Sequence, residues 1–214
     1  MRCPCRNQGN SPVSREIIAI LRGVKPQEAT DICAAIIEAG ITRIEVPLNS
    51  PDPLNSLGQM VDAFGQTATI GAGTVLSTQD VAGVVSVGGK MIVSPDTNTE
   101  VIMATKASGL ASYPGVLTPS ECFAALRAGA DGLKIFPSFL LGTEGLKAIR
   151  AVLPPETAIY AVGGVGPANF AEWLAAGATG FGIGSGIYKP GISAADVGKR
   201  AKEIVSAHDQ ALAG

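Results

Sequence analysis

The chain has 214 residues, of which 46% are hydrophobic and 16% are charged. This length and composition indicate one large or two small globular domains and exclude a disordered polymer. The formal net charge of −2 indicates no broad basic surface, so we expect neither nucleic acid nor a membrane as a partner. No run of about 18 apolar residues is uninterrupted, so no membrane-spanning segment is predicted.

The first 14 residues differ in character from the rest of the chain. Met1–Ser14 is polar and irregular and lacks the apolar segment of a signal peptide. We interpret 1–14 as a flexible leader and 15–214 as a single domain of a cytoplasmic protein. Cys33 and Cys122 lie alone within apolar helical patterns, which is typical of reduced core thiols. His208 is the single histidine, so no zinc site can be assembled and no metal or other cofactor is expected.

From Arg15 onward, eight β-rich runs alternate with amphipathic segments whose apolar residues recur every three or four positions. The helix expected over Pro26–Ala39, for example, has its proline in the first turn and ends before Gly40. The expected strands are Ile17–Leu21, Ile41–Val46, Ala68–Gly71, Lys90–Ser94, Leu110–Tyr113, Gly132–Phe136, Ala158–Val162 and Gly180–Ile183.

Eight units of about 20–25 residues predict a parallel α/β protein, either a doubly wound sheet or a closed barrel. Three features favour a single (β/α)8 TIM barrel: the count of eight, the lack of a Gly-x-Gly-x-x-Gly motif after the first strand, and the absence of a composition break. In such barrels the functional residues lie on the loops that leave the C-terminal ends of the strands. We therefore expect the site at those ends.

Lys134 lies near the end of the sixth expected strand. Leu133 and Ile135 suit the side that faces the helices, so the alternation of side chains turns Lys134 into the barrel. A buried ammonium is costly unless it is paired or deprotonated. A lysine with a lowered pKa is a nucleophile that forms Schiff bases with carbonyl compounds. The alternative is a lysine paired with a core carboxylate.

Two further charged residues lie at strand ends. Glu45 points inward by the same alternation and could move protons for an enamine; alternatively, it forms a buried pair with Arg43. Arg22 directly follows the first strand and could clamp a carboxylate or phosphate with its planar set of donors. A solvent-exposed loop arginine is the alternative there.

Glycine-rich segments follow three of the expected strands. Those after the seventh and eighth, Ala161–Gly166 and Gly182–Gly186, lie where barrels often hold a phosphate with backbone N–H groups and a helix N-terminus. Ser185 adds a hydroxyl donor. A third such loop, Gly71–Thr74, ends in Thr74, which could donate to a substrate oxygen. Together, these residues indicate a barrel that acts on a phosphorylated carbonyl compound through an amine nucleophile.

At these positions the sequence resembles the short (β/α)8 aldolases that act on 2-keto-3-deoxy-6-phospho sugar acids. The resemblance covers roughly Ile17 to Tyr188 in unbroken order. The matching motifs are Ile-Leu-Arg-Gly (Ile20–Gly23), a strand ending in Glu45, Gly-Ala-Gly-Thr (Gly71–Thr74), Ser-Pro (Ser94–Pro95), Pro-Gly (Pro114–Gly115), Leu-Lys-Ile-Phe-Pro (Leu133–Pro137), Gly-Gly-Val (Gly163–Val165) and Gly-Ser (Gly184–Ser185).

The resemblance implies metal-free aldol cleavage of a phosphorylated 2-keto-3-deoxy sugar acid to pyruvate and glyceraldehyde 3-phosphate. Lys134 would form the Schiff base and Glu45 would move protons. Arg22 and Thr74 would engage the pyruvyl end or nearby oxygens of the substrate. The substrate-binding residues on the two glycine-rich loops would be Val162, Gly163, Gly164, Gly184 and Ser185, of which the last three would line the phosphate pocket. The family also implies a homotrimer with apolar helix faces at its interfaces.

Two positions resemble the galactonate branch of this family. Gluconate-branch members usually carry an arginine in the segment that follows the glutamate, where this chain has Asn49. They also usually carry a threonine just before the glycine pair, where this chain has Val162. A missing hydroxyl beside the C4 carbinol should alter which epimer is positioned for cleavage. One departure from the galactonate branch is Asp96–Thr99, where Pro-Asn-x-His is typical.

Three other functions stay open at this stage. Within the family, the alternative is an aldolase for the gluconate epimer or for both epimers. A barrel phosphosugar epimerase or isomerase would use carboxylates or a metal without an imine. A non-catalytic sugar-phosphate binder would hold its ligand and release no pyruvate.

Overall fold

The computed structural model describes residues 15–214, so the leader predicted for 1–14 lies outside the described residues. Within this range the chain forms nine strands and eight α-helices. The strands are β1 (Ile17–Ile20), β2 (Arg43–Pro47), β3 (Thr69–Gly73), β4 (Met91–Val93), β5 (Ala111–Tyr113), β6 (Gly115–Val116), β7 (Leu133–Ile135), β8 (Ile159–Val162) and β9 (Gly180–Ile183). The helices are α1 (Pro26–Glu38), α2 (Pro53–Phe64), α3 (Thr78–Ser86), α4 (Thr99–Ala107), α5 (Pro119–Arg127), α6 (Ser138–Arg150), α7 (Phe170–Ala175) and α8 (Ala194–Ala213).

All strand pairs are parallel, and the sheet order is β5-β4-β3-β2-β1-β9-β8-β7-β6. The two terminal strands of this order, β5 and β6, are separated in the chain by Pro114 alone, which has no N–H to donate. They form one bent barrel strand whose first half pairs with β4 and whose second half pairs with β7. The predicted (β/α)8 barrel is therefore confirmed, and its fifth strand is divided at Pro114.

Alternating side chains create two apolar regions, one outside and one inside the barrel. Ile44, Val46, Leu133 and Ile135 belong to the large core between the strands and the helices. A small cluster fills the barrel interior: Ile18, Met91, Val93, Tyr113 and Tyr160. The inward orientation predicted for Glu45 and Lys134 agrees with this arrangement, since their strand neighbours face the helices.

A polar network lies beneath this cluster, near the N-terminal ends of the strands. Arg43 donates hydrogen bonds to the carboxylate of Glu16 and to Tyr160 Oη, the latter at 2.9 Å. Tyr160 in turn donates to Glu16 at 2.5 Å. The alternative that Arg43 pairs with Glu45 is wrong, because Arg43 lies two residues earlier on β2 and faces Glu16 instead.

The segment that departs from the galactonate pattern supports local structure. Asn98 caps α4, accepting hydrogen bonds from the N–H groups of Glu100 at 3.0 Å and Val101 at 3.4 Å. Thr97 donates to the carbonyl oxygen of Gly115 at 2.6 Å. These contacts fix the loop after β4 against the bent fifth barrel strand.

The two cysteines of the described residues and the lengths of the helices were also the subject of predictions. Cys33 and Cys122 are buried free thiols, as predicted. Among residues 15–214, no helix is long and apolar enough to cross a membrane.

Candidate active site

A cavity of about 200 Å³ opens at the C-terminal ends of the barrel strands. Six predicted site residues line it: Arg22, Val162, Gly163, Gly164, Gly184 and Ser185. Phe136, which the sequence analysis did not single out, lines it as well. Larger hollows elsewhere, such as one of about 580 Å³ between α1 and α8, hold none of the predicted residues.

Lys134 does not itself line this cavity but lies behind Phe136, which does. Its side chain is buried on β7, and Nζ lies 4.7 Å from the ring centroid of Phe136. No carboxylate oxygen of residues 15–214 lies within 4.0 Å of Nζ, so the alternative of a contact ion pair does not describe this lysine. Burial lowers the pKa of Lys134, Glu45 partly opposes that shift, and Arg22 lowers the pKa further.

Glu45 lies on β2 with 1% of its surface exposed, and Oε2 has no hydrogen-bond partner within the described part of the chain. Burial raises the pKa of Glu45 to about 7, against the lowering effect of Lys134 and Arg22. A carboxyl group with this pKa populates both protonation states near neutral pH. It can therefore both accept and donate a proton there.

The glycines of Gly71–Thr74 serve a different purpose from the one predicted. Gly71 lies in β3, as the expected strand Ala68–Gly71 has it, but Gly73 also belongs to β3 rather than to a loop, so that part of the prediction is wrong. A Cβ on Gly73 would lie 2.0 Å from Glu45 Oε2, and one on Gly71 would lie 2.0 Å from the carbonyl oxygen of Met91. These glycines leave room inside the barrel, and Gly73 in particular leaves room for the Glu45 carboxyl group. Thr74 follows in a left-handed conformation, with φ of 55°.

Three strand-end loops meet at Arg22. Its Nη1 donates to Asn49 Oδ1 at 2.5 Å, and Nη1 and Nη2 lie 3.5 and 3.4 Å from Thr74 Oγ1. Arg22 is exposed, as the loop alternative required, but it lines the cavity and is held by neighbouring loops. Asn49 was predicted from the sequence only as a difference from the gluconate branch, and its contact with Arg22 was not predicted.

The loop after β8 turns on consecutive glycines in the left-handed region, with φ of 93° at Gly163 and 78° at Gly164. Two residues missed by the sequence analysis hold it in place. Ser138 Oγ donates to the carbonyl oxygen of Gly163 at 2.5 Å. Asn169 donates to the carbonyl oxygen of Gly164 at 3.0 Å and accepts from the N–H of Gly166 at 3.0 Å.

Backbone N–H groups are available at the cavity wall. Within residues 15–214, the N–H groups of Gly164, Val165 and Ser185 donate to no backbone or side-chain acceptor. Such groups bind anions well in glycine-rich loops. The helix N-terminus expected here is not present as a regular helix, since Gly184–Tyr188 forms a turn and α7 begins only at Phe170.

The described residues offer little to a metal ion. Within 15–214, no group of three or more histidine, cysteine, aspartate or glutamate side chains is placed so that it could hold one. The polar groups near the cavity are instead an amine, a carboxyl group, a guanidinium, hydroxyls and backbone amides. This set suits an anionic organic ligand with a carbonyl group.

Comparisons with known proteins show the family to which the chain is similar. The family model for KDPG and KHG aldolase matches residues 12–202. The probable 2-dehydro-3-deoxy-6-phosphogalactonate aldolase of Rhizobium meliloti (strain 1021) is 49% identical over 203 residues, covering 95% of this chain and 96% of the relative. The 2-dehydro-3-deoxy-6-phosphogalactonate aldolase of Escherichia coli (strain K12) is 44% identical over 196 residues, covering 92% and 96%.

Solved structures show the same relationship. A structure described as native KDPGal superposes with a TM-score of 0.91 at 44% identity, covering 92% of this chain and 96% of that one. The 2-keto-3-deoxy-6-phospho-gluconate aldolase of Zymomonas mobilis ATCC 29191 gives a TM-score of 0.80 at 25% identity, covering 89% and 92%. Fold and site thus define a (β/α)8-barrel carbon–carbon lyase of the aldolase class. The chain belongs to the KDPG and KHG aldolase family.

The contact between Gly73 and Glu45 generates a prediction. In Gly73→Ala the new methyl group occupies the volume of the Glu45 carboxyl group, so that group must move away from its present position. We expect kcat for aldol cleavage to fall by at least about tenfold, since proton transfer by a positioned group contributes about 10²–10⁴-fold. Steady-state kinetics and a crystal structure of the variant measure both effects.

Gly58→Ala is the matched control. Gly58 lies in α2, and a Cβ there meets nothing closer than Val87 Cβ at 3.8 Å. This variant should keep the wild-type rate. An unchanged rate in Gly73→Ala, with Glu45 in its original position, would contradict the assigned role of Gly73.

Proposed function

We propose that this protein cleaves 2-dehydro-3-deoxy-6-phospho-D-galactonate to pyruvate and D-glyceraldehyde 3-phosphate through a Schiff base on Lys134. The observation that carries the proposal is a buried lysine of lowered pKa that interacts with a buried glutamate of raised pKa, next to Phe136 of the cavity lining. The names of two relatives at 44–49% identity support the choice of substrate.

The chemistry begins at the amine. Neutral Lys134 Nζ adds to the C2 carbonyl carbon, and the resulting carbinolamine loses water to form an iminium ion. Glu45, as a carboxylate, takes the proton of the C4 hydroxyl group, directly or through one water molecule. The C3–C4 bond then breaks and its electron pair moves to the iminium nitrogen. This step releases glyceraldehyde 3-phosphate and leaves an enamine.

The second half returns the enzyme to its starting state. Protonated Glu45 gives a proton to C3 of the enamine, which restores an iminium ion. Water adds to C2, the C–N bond breaks, and pyruvate leaves while Lys134 is released as a free amine. A carboxyl group with a pKa of about 7 suits this alternation between base and acid.

Substrate binding uses the remaining predicted residues. The guanidinium of Arg22 and the hydroxyl of Thr74 engage the carboxylate at the pyruvyl end. The free N–H groups around Gly163, Gly164 and Gly184, together with the Ser185 hydroxyl, hold the phosphate at the cavity mouth. The two anionic ends of the substrate thereby place the reacting carbons between them.

The choice between epimers depends on Val162. Its side chain faces Gly182, where an added Cβ would lie 2.7 Å from Val162 Cγ2, and it lines the cavity. A valine presents only methyl groups to the carbinol carbon. The gluconate alternative requires a hydroxyl partner that this position lacks.

We further propose that the protein assembles as a homotrimer in the cytoplasm. Large apolar side chains available for subunit contacts include Met103, Phe139 and Leu140, which are 52%, 65% and 64% exposed. Scattered apolar exposure is ordinary, but Phe139 and Leu140 are adjacent on the first turn of α6.

The Schiff base can be trapped. Borohydride should deliver hydride to the C=N bond formed with pyruvate and so fix the pyruvyl group to Nζ as a secondary amine. Peptide mass spectrometry should locate the adduct on Lys134. Lys134→Arg should give no adduct and no pyruvate, whereas Lys147→Arg, which changes an exposed lysine bound to Glu144, should be labelled like the wild type.

The same experiment separates the other functions. An isomerase or epimerase that uses no imine gives no borohydride adduct at Lys134. A sugar-phosphate binder gives ligand affinity without pyruvate, measured by coupling to lactate dehydrogenase. Either result removes the proposed reaction.

Epimer preference is a further prediction. We expect kcat/KM to be higher for the galactonate epimer than for its C4 gluconate epimer. Val162→Thr should shift this ratio toward the gluconate epimer by about 1–3 kcal/mol, or roughly 5- to 150-fold, because a hydroxyl becomes available at the carbinol. Val152→Thr, at an exposed position, should leave the ratio unchanged. A wild-type preference for the gluconate epimer would reverse the assignment.

The pH dependence follows from Glu45. Below about pH 7 the Glu45 carboxyl group becomes protonated and cannot act as a base, so kcat/KM should fall on the acid side. In Glu45→Gln, kcat should drop by about 10²–10⁴-fold and the part of the acid limb due to Glu45 should vanish. Rate profiles from pH 5 to 9 measure this, and wild-type turnover in Glu45→Gln would exclude the role.

A further inference from the structure

We propose that Asn49 is a positioning residue that holds Arg22 in the orientation in which its guanidinium receives the substrate carboxylate. This inference deepens the proposed function and rests on it. No role in the reaction was assigned to Asn49 from the sequence. It lies on the loop after β2, outside the cavity lining, and acts through its contact with Arg22.

The hydrogen-bond distances identify Asn49 as the main support of the guanidinium. Asn49 Oδ1 accepts from Arg22 Nη1 at 2.5 Å, whereas Thr74 Oγ1 lies at 3.4 Å or more from either Nη atom. Arg22 is itself exposed, so few packing contacts restrict its long side chain. A hydrogen bond from a neighbouring loop therefore has a large influence on where the guanidinium lies.

The chemistry of the amide suits this role. A guanidinium has five N–H donors, and a neutral amide oxygen occupies one of them without cancelling the positive charge. The remaining donors stay free for a carboxylate in two-point contact. A carboxylate at position 49 would instead form an ion pair with Arg22 and compete with the substrate.

The loop that carries Asn49 is itself fixed to its neighbours. Ser50 is buried, and its Oγ accepts from the N–H of Gly23 at 2.9 Å. Leu48 N–H donates to the carbonyl oxygen of Gly73 at 2.8 Å. The acceptor on Asn49 is thus tied to the loop after β1, which carries Arg22, and to the end of β3, which precedes Thr74.

The position of Arg22 also affects the two reacting groups. In addition to the larger effect of burial, its positive charge lowers the pKa of both Lys134 and Glu45. If Arg22 moves away, both pKa values rise and the acid limb of the rate profile moves to higher pH. A purely structural role of Asn49 would leave that limb unchanged.

A double-mutant cycle tests the proposal with the full-length protein. We expect Asn49→Ala to raise KM for the galactonate substrate by about three- to tenfold, to lower kcat less, and to move the acid limb to higher pH. Arg22→Ala should produce larger changes of the same kind. In the double variant, the additional effect of Asn49→Ala should disappear, because it acts only through Arg22.

The control is Asn55→Ala, which removes an exposed asparagine whose side chain bonds with Asp52 and Gln59; it should keep wild-type kinetics. Wild-type KM and pH profile in Asn49→Ala would overturn the proposal. So would effects that multiply in the double variant, since these would indicate an independent contact. Lack of cleavage of either epimer by the wild type would instead refute the proposed function, so the two failures are distinguishable.

Discussion

The site depends on an amine and a carboxyl group that share the interior of a closed barrel without contacting each other. Water is largely excluded from both, so burial disfavours the charged form of each and moves their pKa values toward each other. A contact ion pair would stabilise the two charges and remove this reactivity. The separation of Lys134 from Glu45 is therefore the constraint that the surrounding structure must maintain.

Glycines and distant polar contacts maintain that constraint. The absence of a side chain at Gly73 leaves space for the Glu45 carboxyl group. Gly182 leaves space for the Val162 side chain in the same way. Arg43, the other charged residue on the inner face of β2, is bound by Glu16 and Tyr160 at the opposite end of the barrel. Because Arg43 is paired there, Glu45 has no contact partner of opposite charge among residues 15–214. The contacts of Arg43 at the N-terminal end of the barrel thus help to keep Glu45 unpaired at the C-terminal end.

Much of this arrangement was predictable from local patterns, and the remainder depends on tertiary contacts. Alternation of side chains was sufficient to orient Lys134 and Glu45, because one face of each strand is strongly apolar. The partner of Arg43 was not predictable, since Glu16 is 27 residues away. The loop contacts made by Asn49 and Ser138 likewise join segments 27 and 25 residues apart that no spacing rule relates. Gly73 was assigned to a loop, yet it lies in β3, where a side chain would collide with the Glu45 carboxyl group.

Because the N-terminal half of the barrel interior is filled with side chains, it determines where ligands enter and leave the enzyme. The interior cluster around Tyr113 and Tyr160, with the Arg43 network beneath it, closes the N-terminal end, so ligands enter and depart through the opposite mouth alone. In the proposed reaction the phosphorylated aldehyde lies nearer that exit, while the three-carbon fragment is tethered to the buried Lys134. Release is then ordered, with the aldehyde first and the keto acid last.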